Sequence, residues 1–306
     1  MRNMFAKTVT ELSDEHSDLV LLAGDIGNRL FDRFKEKHPD RFYNCGVAEA
    51  NMTGVASGLA ACGLRPITYT ITPFNTARCF EQIRLDICYP NLPVVIVGTG
   101  AGLSYAELGA THHSMEDIAI LRTLPNMHVV CPGDPVEVRL AVKDALRLAR
   151  PTYIRLGKKG EPKIHLKDPD FQIGRGIVVR EGTQVAIVSV GTMLADAMET
   201  AEQLEKHGVS SRVVSLHTVK PLDEALLKEL FVNFGLVVVI EEHSMTGGAG
   251  SAVLEWGNTN RVELQKLLRI SGPDQFLVAC GEQEEARELI GLNPGKMLHT
   301  ILARLN

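Results

Sequence analysis

The chain has 306 residues, of which 45% are hydrophobic and 23% charged; this is an ordinary globular composition with room for two hydrophobic cores. A formal net charge of −5 argues against a general nucleic-acid surface, which needs a basic face, and no block of like charges marks an interaction tail. Met1–Lys7 has no apolar signal-peptide core and no run of about 18 apolar residues marks a membrane span, so a cytoplasmic location without membrane association is expected.

Short apolar runs alternate with helical patterns along the first half. Leu19–Leu22, Ile67–Thr70, Val94–Val97, Met127–Val130 and Tyr153–Leu156 read as buried strands. Helices are expected over Asn3–Glu15, Glu49–Cys62, Ala77–Ile87 and Pro135–Arg150, the last with Asp134 as N-cap and proline in the first turn. Continuously apolar strands between helices imply a parallel sheet covered on both faces. The stretch Gly157–Gly174 is rich in Gly, Pro, Lys and Asp and reads as a linker. A second series follows, with strands Val185–Val190, Arg212–Ser215 and Leu236–Ile240. Its helices are Leu194–His207, Asp223–Asn233 and Ala249–Trp256, and Gly208 stands just past the first. The expected organisation is therefore α/β, with two doubly wound, mostly parallel-sheet domains over 1–165 and 181–306 joined by a linker at 166–180.

Six cysteines, Cys45, Cys62, Cys79, Cys88, Cys131 and Cys280, form no C-x-x-C pair; they read as small buried hydrophobes in a reducing compartment rather than as zinc ligands or disulfides. Gly98-Thr99-Gly100-Ala101-Gly102 follows a strand, but Leu103 stands where a dinucleotide-binding loop needs its third glycine. It reads as a glycine turn. No phosphate-binding G-x-x-x-x-G-K-[ST] loop occurs. Glu49 opens a helix, where a carboxylate complements the dipole. The helix behind it, Thr53–Gly63, is built almost entirely of small residues that permit close approach of another backbone. A carboxylate at the mouth of such a helix is poorly solvated and available for chemistry.

Here a resemblance becomes specific. Gly46–Met52 with its small-residue helix resembles the segment that carries the catalytic glutamate in transketolase and deoxyxylulose-phosphate synthase. Arg65–Thr70, Phe74, Arg78 and Phe80–Arg84 resemble that family's aromatic pocket for the pyrimidine of thiamine diphosphate. Gly109–Asp117 resembles its G-x-T-H block. Leu121–Val130 and Pro132–Asp134 are similar to the strand, loop and helix after it. Val188–Thr192, His217–Asp223 and Glu241–Gly250 are similar to blocks of its C-terminal domain. The blocks run in family order through essentially the whole chain.

The resemblance implies roles. Glu49 is the catalytic and cofactor-binding carboxylate, which hydrogen-bonds N1′ of the aminopyrimidine. Phe74 and Phe80 wall that ring, with Ala77 near the place of a further aromatic. Asp25 lies near the cofactor at a subunit interface. His112 is catalytic and contacts the substrate, with the adjacent His113 pointing elsewhere. Arg155, Arg2 and Arg29 are substrate-binding cations; Arg29 stands where a serine is expected. No metal ligand is expected in this chain. The family's G-D-G…Asn site for diphosphate and Mg²⁺ has no counterpart, since Gly24-Asp25-Ile26 and Gly133-Asp134-Pro135 do not match it. The resemblance therefore implies a split transferase of the transketolase type, in carbohydrate metabolism, using thiamine diphosphate and Mg²⁺ held mainly by a partner. That partner is an N-terminal transketolase subunit, and the expected assembly is an α2β2 heterotetramer acting on small sugars. Leu108 and Gly100 replace an expected aspartate and histidine, which leaves the identity of the sugars open. The alternatives are the beta subunit of a thiamine-diphosphate-dependent 2-oxo acid dehydrogenase and a non-catalytic subunit of the same fold.

Overall fold

The computed structural model describes residues 1–27, 29–278 and 281–305, so Cys280 lies outside the described residues. Twelve strands run through these residues. They are β1 (Leu19–Ala23), β2 (Phe42–Asn44), β3 (Arg65–Ile71), β4 (Val95–Thr99), β5 (His128–Val130) and β6 (Thr152–Leu156), then β7 (Ile177–Arg180), β8 (Val185–Val190), β9 (Ser211–Ser215), β10 (Thr218–Lys220), β11 (Leu236–Ser244) and β12 (Leu267–Gly272). They form a seven-stranded sheet in the order β10-β5-β6-β4-β3-β1-β2 and a five-stranded sheet in the order β12-β11-β8-β9-β7. The central strands β1, β4, β6 and β8 are buried along their whole length, as strands covered by helices on both faces must be. Only β10 and β7, each at a sheet edge, run antiparallel to their neighbours.

The two α/β units expected from the sequence are present, with two corrections. First, β7 begins inside the stretch read as a linker and pairs with β9, so 177–180 belongs to the second sheet. Second, the halves do not keep separate cores. Strand β10 leaves the second half and pairs with β5 of the first sheet, and the Cys131 amide donates to the His217 carbonyl at 2.7 Å. One apolar cluster accordingly runs from Leu22, Met52 and Ile96 to Val188, Val214 and Val239. Three-residue β10 carries too little pattern for sequence periodicity to register.

Local signals hold where they are chemically specific. Asp134 caps the helix Pro135–Leu148 by accepting from the Glu137 amide, while its other oxygen accepts from the Ile164 and His165 amides at 2.9 Å. One side chain thus starts a helix and ties down the polar stretch after β6. In place of the helix expected over Ala77–Ile87 there is a turn at Phe80–Gln82 and a π-helical turn at Ile83–Cys88, after a short helical turn at Thr72–Asn75. Such π-turns recur at functional sites. The five described cysteines are free thiols; Cys79, Cys88 and Cys131 are buried, whereas Cys62 is exposed, against expectation. Burial pushes the Cys88 thiol up to about 12.

Candidate functional site

Glu49 is the first residue of the helix Glu49–Ala61 and is 2% exposed. It lies off the carboxyl ends of β1 and β3, the usual place for a ligand in an open α/β sheet. Gly24 makes the room: a Cβ there would stand 3.2 Å from Glu49 Cγ and 3.0 Å from Thr70 Cβ. Arg78 Nη1 donates to Glu49 Oε2 at 2.7 Å. The same guanidinium lies over the Phe74 ring, 4.3 Å from its centroid. The Phe74 ring in turn meets His112 edge-on, with centroids 5.2 Å apart.

His112 is half-buried, and its Nδ1 lies 2.9 Å from the Thr111 hydroxyl. Burial and the neighbouring His113 hold its pKa below the ordinary imidazole value, so the ring is neutral near pH 7. His113 turns away, as expected: it is buried, with Nε2 3.0 Å from the Ala106 carbonyl. On the other side of His112 stands Tyr105, with ring centroids 6.0 Å apart. Lys158 Nζ lies 4.5 Å from the centre of the Tyr105 ring and pairs with Glu107. Glu49, Arg78, Phe74, His112, Tyr105, Lys158 and Glu107 are therefore one connected cluster along the mouth of the first sheet.

The remaining expected site residues distribute unevenly. Asp25 is exposed, with φ of 55°, and accepts from Asn44 Nδ2 at 3.0 Å. Asn44 Oδ1 accepts from the Gly46 amide at 2.9 Å, which ties Asp25 to the loop leading into Glu49. Phe80 is half-buried and packs against the main core, sharing no ring contact with Phe74 among the described residues. Arg2 and Arg29 line one basic cleft together with Lys7, Arg33 and Lys37, apart from the Glu49–His112 cluster. Arg2 Nε is buried there without a hydrogen-bond partner.

Arg155 is corrected. It is 3% exposed, and its guanidinium is taken up by internal partners. Its Nε donates to Asp117 Oδ2 at 2.7 Å, and its Nη2 donates to the Ser114 and Glu242 carbonyls. Tyr153 adds a hydroxyl donor to Asp117 at 2.5 Å. Burial works to raise the Asp117 carboxyl, but the Arg155 guanidinium outweighs it and holds the group below the usual carboxylate range. A strand-end arginine is indistinguishable in sequence from a substrate clamp; only packing shows that its partner is internal. Glu242 extends this network: Oε1 accepts from the Leu103 amide at 2.6 Å, and Oε2 pairs with Arg287. The glycine turn after β4 is thus a docking point for the second half of the chain, and it holds no nucleotide motif.

Sequence reading missed three contributors. Arg78 lay within the matched block but received no role. Tyr105 and Lys158 received none either; the aromatic residue a few positions before His112 was the available signal.

The family model described as "Transketolase, pyrimidine binding domain" matches residues 1–162, and the one described as "Transketolase, C-terminal domain" matches 174–297. A protein of Methanocaldococcus jannaschii described as a putative transketolase C-terminal section is 34% identical over 308 residues, covering 100% of this chain and 96% of that protein. A 6-deoxy-6-sulfo-D-fructose transketolase subunit of a Clostridium species is 37% identical, covering 83% and 80%. An apulose-4-phosphate transketolase subunit of Phocaeicola vulgatus is 32% identical, covering 98% and 96%. Among solved structures, a split-gene transketolase described as an inactive β4 tetramer is 38% identical, with a TM-score of 0.89 over 99% of this chain and 97% of that one.

Proposed function

Since the chain belongs to the transketolase family, we propose that it is the C-terminal subunit of a two-subunit transketolase. In this reading the assembled enzyme moves a two-carbon ketol unit from a ketose with a terminal anion to an aldose. The observation that carries the reading is the seat of Arg78. A flat, nitrogen-rich cation rests on Phe74 and donates an N–H to the buried Glu49 carboxylate. An aminopyrimidine needs that same pair of contacts, so these residues fit thiamine diphosphate.

When bound, the cofactor supplies the electron sink for breaking a carbon–carbon bond. Glu49 would hold a proton between its carboxylate and the ring nitrogen it faces. Phe74 would orient the ring by its face, and Phe80 would close the far wall. Neutral His112 would exchange a proton with a substrate oxygen through Nε2, since Nδ1 is engaged by Thr111. Asp25 would act through Asn44 on the loop that sets Glu49. The Arg2–Arg29 cleft would take the distal anion. Two relatives named for sugars with different anions, one a sulfonate and one a phosphate, support an anionic ketose of some kind.

The split-gene structural neighbour and the relatives named as subunits support a partner. With no G-D-G…Asn site here, diphosphate and Mg²⁺ would be held by an N-terminal transketolase subunit. The chain also presents an uncovered apolar face: Val47, Val55, Leu85 and Tyr89 are exposed, and a Cβ on Gly54 or Gly58 would meet nothing within 4 Å. Such a face suits close packing in an α2β2 assembly. Our reading further places the pyrimidine-binding domain at 1–165, the C-terminal domain at 177–306, with β7 included, and the enzyme in the cytoplasm; among the described residues no helix is long and apolar enough to cross a membrane.

The test mixes this chain with its N-terminal partner, thiamine diphosphate, Mg²⁺, a ketose and an aldose. The expected product is two carbons longer than the aldose, and Glu49→Gln should slow its formation by about 10²–10⁴-fold while leaving circular dichroism unchanged. Full activity in Glu49→Gln removes the central assignment. Pyruvate decarboxylation with acyl transfer to lipoamide, in place of ketol transfer, would identify a 2-oxo acid dehydrogenase subunit instead.

A further inference from the structure

Position 100 has no side chain, and the volume above it is filled from elsewhere. Gly100 holds φ of 73°, and a Cβ there would stand 1.9 Å from Cε2 of Tyr105 and 2.3 Å from Cδ2. The Tyr105 ring therefore lies directly on the glycine turn after β4. It does so from outside, at the start of the short turn Ala106–Leu108, and it remains half-buried. Its other face and edge are also engaged. His112 lies 6.0 Å away, and the Lys158 ammonium covers the ring at 4.5 Å while pairing with Glu107. A ring gripped by a glycine, an imidazole and a paired cation has little freedom to swing. Leu108, 48% exposed, sits at the other end of the same turn. The wall beside His112 is thus fixed: an aromatic ring backed by the Lys158–Glu107 pair.

We propose that Tyr105 is a specificity-determining residue: its immobilised ring forms one wall of the sugar site beside His112 and limits the bulk of the ketose that the site accepts. This rests on the transketolase reading above. Removing the ring would open the volume over Gly100, because no side chain at position 100 exists to fill it. Longer or bulkier ketoses would then gain, while the smallest donor would lose the contact that holds it against His112. A hydrophobic wall discriminates by roughly 10-fold or more for each group it excludes. The phenol oxygen contributes less than the ring, so phenylalanine should preserve the preference.

The experiment uses the assembled two-subunit enzyme with thiamine diphosphate and Mg²⁺. It measures kcat/KM for a series of ketoses of increasing chain length, for the native chain, Tyr105→Ala and Tyr105→Phe. Calorimetric titration gives cofactor affinity for each. Support is a change of about 10-fold or more in the long-to-short preference for Tyr105→Ala, with the native preference kept in Tyr105→Phe and cofactor affinity unchanged. An equal loss on every ketose means a merely structural residue and overturns the proposal, as does an unaltered preference. If the native enzyme turns over none of the series, the transketolase reading fails and takes this proposal with it.

Discussion

Two arginine–carboxylate pairs of equal length do opposite things in this molecule. Arg78–Glu49 and Arg155–Asp117 both span 2.7 Å. Both sit at the mouth of the first sheet, and both are anchored by a carboxylate at a helix start. They differ in the arginine. The Arg155 side chain is 2% exposed and Asp117 is fully buried, so the pair is sealed between the two halves of the chain. The Arg78 side chain is 45% exposed over a Glu49 that is 2% exposed. A buried pair with both charges hydrogen-bonded is architecture, because separating it strands a charge in low dielectric. A buried carboxylate whose partner can step into water is a site, because another cationic or N–H-bearing group can take the partner's place. Exposure of the partner, rather than the length of the pair, separates the candidate site from packing here.

The largest expected effect tests the sealed pair. Arg155→Met should cost about 3–5 kcal/mol of stability, as removal of one member of a buried ion pair does. Urea unfolding of the chain measures it, and a loss below about 1 kcal/mol would mean that the network holds without its arginine. Next comes Glu49→Gln, which should lower kcat by about 10²–10⁴-fold, the usual worth of a positioned acid–base group, with the urea midpoint nearly unmoved. Arg78→Met sharpens the contrast at smaller scale. Its unfolding free energy should fall by less than that of Arg155→Met, because in this pair only the carboxylate is sealed from water and, among the described residues, the Arg78 side chain donates no second buried hydrogen bond.

The smallest effect is in pH dependence. The folded-state pKa of His112 lies below the ordinary value of 6.5 because burial disfavours its charged form. An activity that needs neutral imidazole is therefore complete above that value and falls only as pH drops through the lower folded pKa. The acid limb of kcat/KM should stand below pH 6.5 and disappear in His112→Gln. An unshifted limb that survives the substitution would assign it to another group.

Much of this was legible in the chain because it depends on neighbours in sequence. Asp134 with Pro135 predicts a helix start, and continuously apolar runs such as Val185–Val190 predict buried parallel strands. Glu49 at the head of a small-residue helix and His112 within Gly109–Asp117 mark the candidate site. The helix start and the strands depend on backbone hydrogen bonding and side-chain period, which act over a few residues; His112 is marked by the resemblance of its block to the family's. The partner of each charge was not legible, because an ion pair forms between segments that meet only on folding. Arg155 looked like an anion clamp until Asp117 and the Glu242 carbonyl closed around it. The glycine turn looked idle until Glu242 docked on Leu103 and Tyr105 lay down on Gly100. Strand β10 was invisible at three residues, yet it ties the second half of the chain to the first sheet. The chain by itself determined which groups are present and on which elements they stand. Tertiary packing decided which of them remain open to water, and burial is the property on which the cost of freeing a charge depends.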